Sequence, residues 1–182
     1  MTTLIVGLGN PGPEYALTRH NIGFLALDRL REEFGAPEFR PEAKFFADLS
    51  STIVNGNKVI LAKPTTYMNE SGRAVRAILD YYKLDPKSLA VIHDDLDIAP
   101  GTLRATDSSR AAGHNGVQDI IDVLGTQDFF RLRLGIGRPV DVEGACMSSH
   151  DYVLGRFSEA ESNGQAALFD ALVAAVRARL SS

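Results

Sequence analysis

The stretch "LIVGLGNPGPEYALTRHNIGF", Leu4 to Phe24, decides how the chain is read, because Gly7, Gly9 and Gly12 form G-x-G-x-x-G directly after an apolar run. In a dinucleotide fold such a turn opens a helix inside the motif, so that amide groups at the helix N-terminus face a pyrophosphate. Pro11 and Pro13 oppose that reading. Proline has no N–H to offer and drives the residue before it out of the α region. A dinucleotide site also calls for a strand soon afterwards with an acid for the ribose about 20 residues on, whereas here a helix intervenes and the next strand starts near Phe45. The glycines are therefore read as turning a chain that leaves a sheet. What the segment then offers is chemistry: Asn10 at the strand's carboxyl end, Tyr15 in the loop and His20 at the start of a helix. Ligands in open α/β sheets bind at that edge. An imidazole, with an ordinary pKa of ~6.5, accepts a proton near neutral pH. Without a partner, His20 is an ordinary capping or surface histidine.

Working outward, Leu4 to Leu8 reads as a buried strand and Asn21 to Phe34 as a helix, with Ile22, Leu25, Leu30 and Phe34 at roughly helical spacing before Gly35 and Pro37. Phe45 to Val54 and Lys58 to Lys63 read as strands around Asn55-Gly56, a dipeptide that tolerates the positive φ of a tight hairpin. Ser71 to Tyr82 reads as an amphipathic helix, Leu89 to His93 as a strand ending in acids, and Gly101 to Thr106 as a short strand. A helix follows "GHNG", and Phe129 to Ile136 is a strand; positions 138 to 149 read as loop. Ser158 with Glu161 is a capping box for a last helix carrying Leu168, Leu172, Val176 and Leu180. Helices interleaved with strands plus an internal hairpin predict an α/β fold: one domain over 1–182, with a mixed twisted sheet flanked by helices on both faces.

Composition agrees with a globular protein. The 182 residues are 45% hydrophobic and 23% charged, and no apolar run approaches the ~20 residues that a membrane span needs. No membrane partner and no secretory leader are expected, and one cysteine, Cys146, cannot form an internal disulfide, which suits a cytoplasmic protein. A formal charge of −4 gives no global sign of a nucleic-acid partner, so any such partner must be argued from local sites.

"VIHDDLDIAPG" supplies partners for the histidine, since Asp94, Asp95 and Asp97 follow a buried strand. A carboxylate there fixes an imidazole's tautomer and favours its protonated form. The same acids suit Mg²⁺ in a phosphohydrolase, and Asp95 and Asp97 equally suit a turn before Pro100-Gly101. "KPTTYMNESG" and "AAGHNG" set Asn69 and Asn115 at helix openings, where asparagine commonly caps. Neutral amides, offering donor and acceptor together, also suit holding a peptide backbone and an oxyanion. No serine or cysteine sits in a nucleophile motif such as G-x-S-x-G, so water activated by histidine is the natural mechanism. Residue reading alone ends at a hydrolase-like cleft.

The motifs "VGLGNPGPEYALTRHNIGF", "KPTTYMNESG", "DDLDIAPGTLR", "GHNG", "FRLRLGIGRP" and "DYVLGRF", in that order, resemble the bacterial peptidyl-tRNA hydrolases and span nearly the whole chain. The resemblance implies a monomeric α/β enzyme that cuts the ester joining an N-blocked peptide to the terminal ribose of tRNA, without metal or cofactor. It implies His20 as general base and Asp94 as its supporting carboxylate. Asn69 is similar to the residue that binds substrate and helps position the water or the oxyanion. Asn115 is similar to the residue that holds the peptide backbone and the tRNA end, and Asn10 to the one that distinguishes blocked from free aminoacyl groups. Tyr15 and Tyr67 match positions lining the peptide and tRNA-terminus site, with Met68 as a wall and His114 as a neighbouring contact. For tRNA, Arg133 matches a basic position, and Arg104 and Arg110 add charge. Departures from the family pattern are "ATDSSRAAGHNG", where Ser and Ala replace glycines and Asp107 intrudes, and the acids Asp141 and Glu143.

Overall fold

The computed structural model describes residues 1–139 and 147–181. Seven strands form one sheet: β1 (Thr2–Gly7), β2 (Arg40–Glu42), β3 (Ala47–Val54), β4 (Asn57–Pro64), β5 (Leu89–Asp95), β6 (Leu103–Asp107) and β7 (Phe130–Gly135). Their spatial order is β2-β3-β4-β1-β5-β7-β6. The central strands β4, β1, β5 and β7 run parallel, while β2 and β3 at one edge and β6 at the other are antiparallel to their neighbours. The sheet is thus mixed, as expected.

Helices α1 (Ile22–Glu33) and α5 (Glu159–Ser181) cover one face; α2 (Ser71–Tyr82) and α3 (Asn115–Leu124) cover the other. Alternation along the central strands shows why: Ile5, Leu61 and Ile92 pack with Leu27 and Leu172, while Leu4, Val6, Ile60 and Val91 pack with Val75, Ile78 and Ile120. Each such side chain, taken out of water, contributes roughly 1.5–3 kcal/mol. Burial on both faces is what makes these strands read as continuous apolar runs.

The hairpin forms at Asn55 and Gly56, with φ of 50° and 78°. Ser158 and Glu161 make both capping-box bonds, Ser158 Oγ accepting from the Glu161 N–H and Glu161 Oε2 from the Ser158 N–H. Most strand and helix ends shift by one or two residues from expectation, and some differences are larger. Phe45 lies in a 3₁₀ turn, and Phe46 takes a left-handed φ of 52° before β3 starts at Ala47, a kink that lets the Phe45 ring enter the core. Gly101 sits in the turn ahead of β6 with φ of 76°. The short strand β2 was not expected, its three residues being too few to show a period. Of the loop read over 138–149, residues 140–146, Asp141 and Glu143 among them, lie outside the described residues; Ser149 begins the short helix α4 (Ser149–Val153).

Candidate active site

The carboxyl ends of the parallel strands converge on one edge of the sheet. Pairing of β1 with β5 runs one step past the strand, where the Leu8 N–H donates to the Ile92 carbonyl at 2.9 Å. The chain then turns away at Gly9 and Asn10. Gly23 brings the first turn of α1 down onto this edge: a Cβ there would lie 2.5 Å from Leu8 N and O and 2.6 Å from Ile92 O. That approach delivers His20, in the 3₁₀ turn Arg19–Asn21, to the end of β5.

There Asp94, 2% exposed, faces two imidazoles. His20 Nδ1 lies 3.0 and 2.9 Å from its two oxygens, and His114 Nε2 lies 2.9 Å from Oδ1. The tautomers follow from the partners. The Val117 N–H can only donate, so His114 Nδ1 accepts it at 3.3 Å and Nε2 carries the proton given to Asp94. His20 likewise gives its Nδ1 proton to the carboxylate, which leaves Nε2 as its basic atom, with no protein partner among the described residues. Burial lowers the His20 pKa, but the Asp94 charge and hydrogen bond outweigh that and hold it above the ordinary histidine value. Burial would raise Asp94; the two imidazoles overcome it and draw its pKa well below the usual carboxylate range. Behind them His93, wholly buried, has its Nδ1 2.7 Å from the Asp94 carbonyl; desolvation and the neighbouring His114 push its pKa far down, so it is neutral.

Two adjoining hollows, each of about 340 Å³, meet at this point. Asn10, Tyr15, Tyr67, Met68 and Asn69 line one, Asp94 and His114 the other, and His20, Asn115 and His150 line both. All seven sequence-derived site residues therefore border one cleft. Asn69 and Asn115 are exposed, and no capping role engages them: Asn69 lies in the 3₁₀ turn before α2, and the residue that caps α3 is His114.

Sequence reading missed His150. It stands on α4, whose signal was the "SSHD" capping pattern; Ser148 Oγ accepts from the Asp151 N–H at 3.1 Å. The acid cluster does not stay together. Asp95 accepts from Arg133 Nε at 2.8 Å and from the Asp97 N–H, and Asp97 accepts from Arg138. A Mg²⁺ cage of three aspartates is therefore not formed. His20, Asp94 and His114 do bring three possible ligand atoms within 4.8 Å of one another, but these are the atoms already bound in the imidazole–carboxylate hydrogen bonds.

The family model described as peptidyl-tRNA hydrolase matches residues 4–182. A peptidyl-tRNA hydrolase of Bacillus cereus is 52% identical over 161 residues, covering 88% of this chain and 83% of the relative. One from Exiguobacterium is 56% identical over 135 residues, covering 74% and 72%. Among solved structures, peptidyl-tRNA hydrolase from Acinetobacter baumannii superposes with a TM-score of 0.84 at 37% identity, covering 99% of this chain and 87% of that one.

Proposed function

The chain belongs to the peptidyl-tRNA hydrolase family and is a hydrolase of peptidyl-tRNA; from that premise we propose that its cleft cuts the ester between an N-blocked peptide and the terminal ribose by water activated at His20. The observation that carries this is the His20–Asp94 contact of 2.9 Å with Nε2 left open. In the reaction, Nε2 takes a proton from water as the oxygen attacks the ester carbonyl, and Asp94 stabilises the imidazolium. The tetrahedral oxyanion finds amide donors in Asn69 or Asn115. The C–O bond to the ribose then breaks, and the imidazolium returns the proton to the leaving oxygen. Tyr15 and Tyr67 flank the peptide or the terminal base. Asparagines that grip main chain explain why many peptides are accepted, since all share a backbone.

No helix among the described residues is long and apolar enough to cross a membrane. A monomer that binds tRNA in the cytoplasm and serves translation by recycling it is the setting consistent with this chemistry. The test is release of N-acetyl amino acid from acetyl-aminoacyl-tRNA in excess chelator. Native protein is expected to cleave the blocked ester and spare the unblocked one, with His20→Ala slower by roughly 10²–10⁴-fold. Activity that dies with chelator would transfer the assignment to a metal held by His20, Asp94 and His114.

A further inference from the structure

Asn21 occupies the N-cap position of α1, yet its side chain makes no capping bond to that helix. Its amide is spent on Asn10 instead. Oδ1 accepts from the Asn10 N–H at 2.9 Å, and Nδ2 donates to the Asn10 carbonyl at 2.9 Å. The direction is forced, because a peptide N–H only donates and a carbonyl only accepts. Asn21 is 1% exposed, so water cannot substitute for either bond.

This grip sets what the Asn10 side chain can offer. Across the cleft floor the Met68 N–H donates to Asn10 Oδ1 at 2.8 Å, again in the one direction possible. The Asn10 backbone is thus fixed and its acceptor oxygen occupied. Only Nδ2 remains, without an acceptor among the described residues, on a residue that lines the cleft. Substrate therefore meets an amide that can only donate. The carbonyl oxygen of an acylated amino group satisfies it. A free α-ammonium brings positive charge and donors against a donor, leaving both unpaired.

We infer that Asn21 is the positioning residue through which this site tells a blocked amino group from a free one, by holding Asn10 so that its amide presents N–H alone. The inference rests on the proposed reading of the cleft as the ester-cleaving site. Kinetics on acetyl-aminoacyl-tRNA and the matching aminoacyl-tRNA test it, with enzyme raised until cleavage of the second exceeds its spontaneous loss. Asn21→Ala removes both bonds. Asn21→Asp keeps the acceptor for the Asn10 N–H but sets an oxygen against the Asn10 carbonyl, and as a near-isostere it decides the matter if the alanine variant fails to melt cooperatively.

The ratio of kcat/KM for blocked over free substrate is expected to fall by about tenfold or more in both variants. The loss falls on the blocked substrate, and the pH midpoint set by His20 stays where it is. Parallel losses on both substrates with the ratio constant mark a merely structural role and overturn the inference. So does an unchanged ratio in a variant that folds. A native protein that cleaves neither ester, or both alike, refutes the reading of the cleft and the inference with it.

Discussion

Replacing Asp94 by Asn removes the charge while keeping the shape, and the two imidazoles make the result predictable. His114 must donate from Nε2 because Val117 occupies Nδ1, so it claims the single amide oxygen. His20 Nδ1 then faces Nδ2, a donor, and flips to the tautomer whose proton sits on Nε2, where the base is needed. The rate of Asp94→Asn is expected to drop by roughly 10²–10⁴-fold, read from kcat/KM on acetyl-aminoacyl-tRNA. The pH profile carries a second signature. Because Asp94 holds the His20 pKa up, native kcat/KM rises with pH to a midpoint above the ordinary ~6.5, and in Asp94→Asn that midpoint moves down. Stability shows the opposite pair of signs. The depressed Asp94 pKa contributes stability above its unfolded value of ~3.9 that is lost as pH falls, whereas the raised His20 pKa contributes below ~6.5 and is lost as pH rises through it. At this scale Asn10 and Asp94 were legible because each comes at the end of a buried apolar strand at one sheet edge, whereas His20, Asn69 and Asn115 stood out only as polar side chains at helix openings. Illegible were the sharing of Asp94 with His114 and the turning of Asn21 onto Asn10, since a tautomer and a side-chain direction have no period.

Among the elements, two glycines seat helices against the site, and they differ in what resists a methyl group. At Gly23 a Cβ would strike backbone of Leu8, one residue past β1, and of Ile92 in β5, which cannot yield without moving the sheet edge. At Gly116 the nearest atom is Met68 Sδ at 2.6 Å, the far end of a flexible side chain, with Leu8 Cδ1 and Met68 O next at 3.1 Å. Gly23→Ala is therefore expected to destabilise by about 2–3 kcal/mol or more and Gly116→Ala by less, in urea titrations of both variants. The loop between β6 and α3 makes a different case. Ser108 and Ala112 adopt φ of 46° and 50°, conformations natural to glycine. Ala112→Gly relieves left-handed strain of roughly 1–2 kcal/mol, against an unfolded-state entropy of about 0.4–1, so its melting temperature should rise slightly. Strong periods and turn signals, as in Ser71–Tyr82, Asn55-Gly56 and Ser158 with Glu161, made most elements readable. Short ones such as Arg40–Glu42 and Ser149–Val153 exist because the sheet edge and the cleft wall stabilise them, which local sequence does not record.

For the whole molecule the question is how a chain of formal charge −4 meets a polyanion. The β6–β7 edge answers with a violation of local rules: Arg104 and Arg133 stand directly opposite each other across antiparallel strands, a like-charge pairing that costs stability. Asp95 neutralises Arg133, whose side chain is 18% exposed, while Arg104 is left on the surface. Deep in the same edge Arg131 ties the loop before α3 down, donating to the Arg110 carbonyl at 2.8 Å and to Ser109, so the exposed Arg110 is carried on a fixed loop. The phosphate-facing role that the family resemblance implies for this edge has a thermodynamic signature distinct from catalysis. Each phosphate left without its arginine should make the salt slope of binding shallower by about 0.7–0.9. Arg104→Ala and Arg110→Ala are expected to raise KM for acetyl-aminoacyl-tRNA several-fold at low salt, leave kcat unchanged, and lose that difference as salt is raised. Because Arg104→Ala also removes the cross-strand repulsion, its melting temperature should not fall. A variant with unchanged KM at low salt, or one whose defect persists at high salt, would show that this edge serves the sheet and that tRNA is held elsewhere.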